Sequence, residues 1–363
     1  MTSGTPNTDQ SQALCDAVSN ARSAGTALRI HGGNTKEDCI GRMTEAQTLS
    51  QPLDITRHSG ITNYEPGELV LTARAGTPIA ALQAATAAEG QTLAFEPPSY
   101  GGRATLGGTL ACNLSGPARP WAGSIRDHVL GITLINGKAE LLNFGGRVMK
   151  NVAGYDVSRA QAGALGTLGV ITEVSLKVMP KPEASTTLRF ELPVQEAVAV
   201  MNQRAAQPKP LNGACWFDGK LFLRLEGTSS AVEHTARQWG GEALSETDTP
   251  WAALREFELP FFSGNQPLWR LSVGATSAID NAYGSTLLDW GGAQRWLRGE
   301  HDLDALQALC DKAQGHATLY RGGDRTGEVR TIGNSTEQRL HQRLKHAFDP
   351  DNVFNPGRLY SWL

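Results

Sequence analysis

Fourteen of the chain's 40 glycines fall between Gly101 and Gly169, a stretch of 69 residues in which average usage predicts about 5. Glycine has no Cβ, so it lets a main chain approach another backbone or a ligand closely and adopt turns closed to other residues. A chain with such a cluster must contain a region whose backbone is pressed flat against something. The second half has the opposite character, since seven of the eight tryptophans lie from Trp216 onward. The change falls after Met179-Pro180-Lys181-Pro182-Glu183, where two prolines enforce an extended, non-helical connector. With 363 residues, a prior of about two domains follows, and the boundary belongs at this connector.

Three glycine bends stand out. Gly32-Gly33-Asn34-Thr35 comes directly after a short apolar run at 27–30, so its N–H groups could curl around an anion, or it is simply a tight turn. Pro97-Pro98-Ser99-Tyr100-Gly101-Gly102-Arg103-Ala104-Thr105-Leu106-Gly107-Gly108 leads into a helix expected to start near Thr109. Its glycines either aim helix-end donors at negative charge or let the helix pack closely on a sheet. Gly163-Ala164-Leu165-Gly166-Thr167-Leu168-Gly169 runs straight into the alternating strand 170–178. Its glycines are three apart and precede a strand, which is not the nicotinamide fingerprint GxGxxG opening a helix.

Period and punctuation supply the other elements. A helix is expected over 9–23, with Asp9 as its N-cap and Gly25 just beyond its end. Strands are expected at 69–73 and 129–135. A helix capped by Thr77, with Pro78 at its first position, stops at Gly90. Short strands mixed with few helices indicate α+β.

Composition narrows the function. With 33 basic and 36 acidic residues, the formal charge is −3, so the basic field of a general nucleic-acid binder is lacking. At 40% hydrophobic and 19% charged the chain is not of disordered type. No apolar run reaches the ~18–20 residues of a membrane span, and Met1–Gln10 carries no basic-then-apolar signal pattern. A cytoplasmic protein is expected. Cys15, Cys39, Cys112, Cys215 and Cys310 are far apart with no CxxC pair, so no metal or iron–sulfur site can be built from local spacing, and reduced, packed thiols are expected. HExxH, GxSxG and GxxxxGK[ST] are missing as well.

Taken together, Gly32–Thr35, the run from Ala104 to Asn113, Ser124-Ile125-Arg126-Asp127-His128-Val129-Leu130-Gly131, Lys150-Asn151-Val152-Ala153-Gly154-Tyr155-Asp156 and the run from Leu165 to Thr172 resemble the FAD-binding domain of the vanillyl-alcohol oxidase/p-cresol methylhydroxylase (PCMH) family, in that family's order. The resemblance is greatest to its glycolate oxidase branch, the E-subunit type. The ending Ala347-Phe348-Asp349-Pro350-Asp351-Asn352-Val353-Phe354-Asn355-Pro356-Gly357-Arg358 is similar to the family's closing segment. This resemblance implies a PCMH-type FAD-binding domain of two α+β subdomains over 1–183, an α+β cap over 184–334, and a segment 335–363 that returns to the flavin domain.

By position, the resemblance puts Gly32, Gly33, Asn34 and Thr35 at the pyrophosphate. It puts Pro98, Thr105, Leu106, Gly107, Gly108 and Asn113 along the flavin. Ser124, Asp127, Val129, Gly131, Gly166, Gly169 and Ile171 belong to the rest of the cofactor site, toward the ADP half. Relatives with covalent flavin place a histidine where this chain has Asn34. An amide cannot form that link, so the FAD is expected to be dissociable.

Oxidising a 2-hydroxy acid needs a cation for the carboxylate, a base for the hydroxyl proton and a hydride acceptor. His316, Tyr320 and Arg321 are the candidate catalytic residues of the second half, although strand alternation sets His316 and Tyr320 on one face and Arg321 on the other. The HGHxGDGNxH motif of related 2-hydroxy-acid dehydrogenases is missing. Its absence speaks against an independent metal-assisted site. The expected partners are a second flavin subunit and an iron–sulfur subunit of a glycolate oxidase complex, through which alone the chain would reach the inner membrane. A self-sufficient flavin oxidase for another small alcohol or sugar acid, and a redox-silent scaffold, are the alternatives. The tryptophan-rich stretch 210–300 fits either a partner interface or a core.

Overall fold

The helix Ser11–Ala24 buries Leu14, Val18 and Ala21, one stripe at helical spacing, and Gly25 ends it at φ 63°. Asp9 sits one residue too early to be its N-cap, which is Gln10. The Asp9 carboxylate instead accepts the Ser11 N–H at 2.8 Å and reaches Arg74 at 3.1 Å, and these contacts hold its pKa down at about 2. After this helix comes the strand Leu28–His31, paired in parallel with Gln51–Asp54. Residues 7–146, 156–278 and 284–363 are described in this computed structural model. Of the motifs read above, Lys150 to Tyr155 therefore lie outside the described residues.

A five-stranded antiparallel sheet forms the rest of the glycine-rich half. Its order is Ile61–Glu65, Val70–Arg74, Val170–Lys177, Val129–Ile135, Leu141–Gly145. Val170–Lys177 is a central strand buried on both faces, not the half-buried strand its alternation suggested, because neighbouring strands flank it and its polar Thr172 and Ser175 are hydrogen-bonded within the sheet. The helix Ile79–Ala88 lays Ile79, Leu82 and Thr86 against the core. Pro78 is its N-cap, because Thr77 Oγ1 is engaged with Gly60 across a tight turn. Leu14, Val18, Leu28 and Leu53 share one apolar cluster with Leu71, Ile79, Phe95, Leu106, Val129 and Phe354, so both subdomains close over a single core.

Beyond the Pro180–Pro182 connector, eight antiparallel strands make a second sheet. Its order is Glu242–Leu244, Ala184–Glu191, Lys220–Gly227, Leu211–Phe217, Thr286–Asp289, Gln294–Arg298, Leu268–Ser272, His316–Arg321. The helices Val194–Ala205 and Ser229–Trp239 pack toward one end of it and Leu303–Lys312 toward the other. Trp239, Trp251, Trp269, Trp290 and Trp296 are all buried. Most of the tryptophan-rich stretch is therefore core.

The two halves meet through an apolar seam in which Cys39, Ile40, Leu114 and Leu165 pack with Trp251, Phe262, Trp296 and Tyr320. Two carboxylates stitch across it. Glu96 pairs with Arg224 at 2.8 Å, and Glu256 accepts the Ser99 and Tyr100 N–H groups at 3.0 and 2.8 Å. The C-terminal helix Ser335–Phe348 then leads back to the first half. There Val353 O accepts the Leu28 N–H at 2.7 Å, and Asn355 N donates to Leu28 O at 2.9 Å.

Candidate functional site

A cleft of about 530 Å3 opens where the first parallel strand pair, the helix Leu106–Cys112 and the third glycine bend converge, a volume in the range of small-molecule and cofactor sites. Residues 29–37 form one wall. Thr105, Gly107, Gly108, Ala111 and Cys112 form another, and Leu165, Gly166, Gly169, Ile171, Asn355 and Arg358 a third.

The first bend supplies the donors. Asn34 takes a left-handed φ of 51°, a conformation that asparagine tolerates better than most residues. Among the described residues, no partner takes the N–H groups of Gly33, Asn34, Thr35 or Lys36. Four successive free N–H groups beside a cleft make an anion-binding concavity. Positive charge stands next to it. Lys36 is buried and donates to Thr35 Oγ1 at 2.9 Å, and burial lowers its pKa. Arg29 is paired with Glu37, while Arg358 donates to the carbonyls of Arg42, Lys36 and Glu37 and so clamps the loop that follows the bend.

The second bend works differently from the sequence expectation. Its helix starts at Leu106, three residues earlier than Thr109, with Thr105 as N-cap. The first donors are already taken: Leu106 N by Thr77 O at 2.9 Å, Gly107 N by Ala75 O at 2.8 Å, and Gly108 N by Thr105 Oγ1 at 3.3 Å. This helix end has no donors left for a phosphate. Gly107 serves close packing, since a Cβ there would stand 2.8 Å from the Ala75 Cβ. The same holds in part for the first bend, where a Cβ on Gly33 would overlap the Arg103 carbonyl and one on Gly32 the Thr105 hydroxyl. Of the glycines that line the cleft, Gly108 leaves a Cβ the most room, 3.1 Å from Thr105 Oγ1 and 3.7 Å from Lys36 Cε.

Of the cofactor residues expected from sequence, Gly32, Gly33, Asn34, Thr35, Thr105, Gly107, Gly108, Gly166, Gly169 and Ile171 are brought together in the cleft. The others lie elsewhere. Leu106 is fully buried in the core, and Val129 is in that same core. Pro98 is buried in the loop that Glu256 holds. Ser124 and Asp127 form a capping box on a short helix, with the Asp127 carboxylate accepting the Ser124 N–H at 2.8 Å. Gly131 is pressed against Gly146 across a strand pair. Asn113 caps the end of Leu106–Cys112 and faces a second, smaller cavity.

The three candidate catalytic residues are separated. His316 is exposed at the start of its strand. Arg321 donates to Phe262 O and lines an open groove with Gly322 and Asp324. Tyr320 is buried, 3.4 Å from the Tyr100 hydroxyl, and faces the same small cavity as Asn113; burial raises its pKa. Sequence reasoning passed over Lys36, Asn355 and Arg358. Their positions beside Gly32–Thr35 and within the closing segment were the available signal.

Comparison with known proteins agrees with this geometry. An FAD binding domain model matches residues 7–145. The chain is 46% identical to the glycolate oxidase subunit GlcE of Escherichia coli (strain K12), over 98% of this chain and 99% of that protein. It is 32% identical to a D-lactate dehydrogenase of Anaerostipes hadrus over 85% of this chain and 79% of that one. Its likeness to the glycolate oxidase subunit GlcD of Bacillus subtilis (strain 168) is 36% over 45% of this chain and 33% of that protein. Among solved structures, an alkyldihydroxyacetonephosphate synthase superposes with a TM-score of 0.68 at 14% identity, covering 98% of this chain and 76% of that one, which shows a shared fold. Whole-length identity to GlcE, an FAD binding domain and a cleft lined by free main-chain donors together show that this chain belongs to the PCMH-type FAD-binding family, on the branch of the glycolate oxidase subunit GlcE.

Proposed function

We propose that the chain is the FAD-holding subunit of a glycolate oxidase, working beside a second flavin subunit and an iron–sulfur subunit in the oxidation of a small 2-hydroxy acid. The observation that carries this reading is the 46% identity to GlcE along 98% of the chain. On this reading residues 1–183 and 335–363 hold the cofactor and 184–334 cover it. The free N–H groups of Gly33, Asn34, Thr35 and Lys36 bind the pyrophosphate, and the Lys36 ammonium offsets its charge. Thr105, Gly108 and Cys112 border the flavin side, with Gly166, Gly169 and Ile171 on the opposite wall. FAD, when bound, supplies the two-electron acceptor. What the protein supplies is orientation, through the main-chain donors of the first bend and the walls that fix the cofactor's position.

The D-lactate dehydrogenase relative supports a second reading, in which the chain oxidises its acid unaided. One experiment separates the two. The chain is purified alone, its visible spectrum recorded, and glycolate added anaerobically with and without the partner subunits. Stoichiometric flavin that bleaches only in the complex is the expected result. Bleaching of the isolated chain establishes the second reading, and a colourless chain that does not take up added FAD overturns both.

A further inference from the structure

Cys112 and Leu165 line the flavin cleft on one side and a cavity of about 140 Å3 on the other. Three guanidinium groups face that second space. Arg119 comes from the short helix Arg119–Ala122, Arg270 from the strand Leu268–Ser272, and Arg330 from the segment that bridges to Thr318. Their sequence positions are far apart, and both halves of the chain contribute.

These cations lack the acid or carbonyl partners that several enclosed cations among the described residues have. Arg224 has Glu96, Lys345 has Asp349, and Arg295 donates to three carbonyls. Arg270 Nε and Arg330 Nε are buried with no hydrogen-bond partner. The Arg119 guanidinium stacks on Trp290 at 4.3 Å. No ion pair among the described residues neutralises any of the three. Burial and the charges of Arg330 and Arg119 push the Arg270 pKa down to about 10, so the side chain remains a cation at neutral pH. Three half-buried guanidiniums around one small cavity with no acid beside them repel one another unless an anion completes them.

One more atom lacks a partner there. Asn113 Oδ1 is buried and accepts nothing, so a hydroxyl beside the anion would find an acceptor. Tyr320, kept as a phenol by burial, is a donor. At ~30 Å3 per water-sized group, the cavity takes roughly five such groups, the size of an acid of two or three carbons. None of the described lining residues is a histidine or a carboxylate, so the site binds rather than accepts a proton.

We infer that Arg119, Arg270 and Arg330, with Asn113 and Tyr320, form a seat for a small 2-hydroxy or 2-oxo monocarboxylate, adjoining the flavin cleft at Cys112 and Leu165, which line both spaces. This rests on the proposed function and names the residues that would select its substrate. Arg270 and Arg330 clamp the carboxylate bidentately. Asn113 takes the hydroxyl proton as a hydrogen bond, and Trp290 reports on Arg119.

The test uses the full chain, with FAD and stripped of it. Glycolate and oxalate are titrated while tryptophan fluorescence and melting temperature are followed, with ethylene glycol as the neutral match and chloride as the indiscriminate anion. The expected result is saturable carboxylate binding that ethylene glycol and chloride do not mimic, weakened at least tenfold in Arg270→Met and in Arg330→Met. Without ligand those variants should melt no lower than the parent, because a like-charge contact has been relieved, and they should keep their flavin. Arg119→Met, at the less enclosed corner, is the fallback should either variant not fold, and the same tenfold loss is expected of it. Equal responses to glycolate and ethylene glycol, or parental affinity in a folded variant, overturn the seat. A chain that binds carboxylate but no FAD keeps the seat and sinks the flavin reading, while a yellow chain indifferent to carboxylates does the reverse.

Discussion

Asn355 Nδ2 donates to Leu165 O at 2.7 Å, across 190 positions of sequence, while Asn355 Oδ1 accepts the Ile30 N–H at 2.9 Å. One buried side chain near the C-terminus thus ties together the strand before the first glycine bend and the third glycine bend, two of the three walls of the cleft. Replacing it with alanine leaves a buried carbonyl and a buried N–H without partners. Asn355→Ala is expected to cost about 3 kcal/mol in urea unfolding and to weaken FAD binding as well. Parental stability together with parental FAD affinity would show that the tie does not set the cleft.

Gly33 and Gly108 both line the cleft, but for different reasons. A methyl group on Gly33 meets the Arg103 carbonyl, so Gly33→Ala is expected to lose about 2 kcal/mol even in flavin-free protein. At Gly108 the surroundings are roomier, and the nearest atoms are side chains, Thr105 Oγ1 at 3.1 Å and Lys36 Cε at 3.7 Å. Gly108→Leu should therefore fold, with a melting temperature near that of the parent apoprotein, yet lose most of its FAD. The ratio of visible to ultraviolet absorbance after gel filtration reads the difference. A folded Gly108→Leu protein with stoichiometric FAD would remove Gly108 from the cofactor wall.

Asp289 is buried, with its carboxyl accepting the Trp290 N–H at 2.7 Å and the Gln294 amide at 3.3 Å. Burial raises its pKa to about 7, against the opposing pull of the Trp290 N–H and Arg224. The folded state thus holds a proton that the unfolded chain releases near its ordinary value of 3.8, and stability must fall as pH rises from about 4 through 7. Asp289→Asn keeps the acceptor and removes the titration. Urea unfolding at pH 5 and pH 8 should show the parent losing on the order of 3 kcal/mol relative to the variant. Parallel pH profiles for the two proteins would contradict the raised pKa.

Asn34 stands in the bend whose N–H groups are free, and an amide forms no covalent bond to flavin. Acid precipitation of the purified protein should leave all the yellow colour in the supernatant. Flavin fluorescence that stays with the denatured polypeptide on a gel would identify an attachment elsewhere in the chain.

Local chemistry made much of the first domain readable. Gly25 ends a helix because only a left-handed residue closes that turn without strain, and Leu14, Val18 and Ala21 declare the buried face by their spacing. The alternating strand after Gly169 and the extended connector at Pro180 are legible for the same reason. The candidate catalytic trio is a different case. His316, Tyr320 and Arg321 are neighbours in one strand, but the sheet turns them to solvent, to the small cavity and to an open groove respectively. Closeness along a strand does not put side chains in one space, because adjacent residues face opposite ways and same-face residues four apart stand roughly 13 Å from each other.

The amino-acid order alone determined the α+β class, the glycine bends with Gly32–Thr35 among them, and the family, since each depends on residues within a few positions of one another. Tertiary structure decided which of those bends still has free donors. The start of the helix Leu106–Cys112 spends its N–H groups on Thr77 and Ala75, partners from a separate turn. It also decided that Arg119, Arg270 and Arg330 share one cavity. Charges so distant along the chain converge only where two sheets pack across a seam, and no local pattern encodes that meeting.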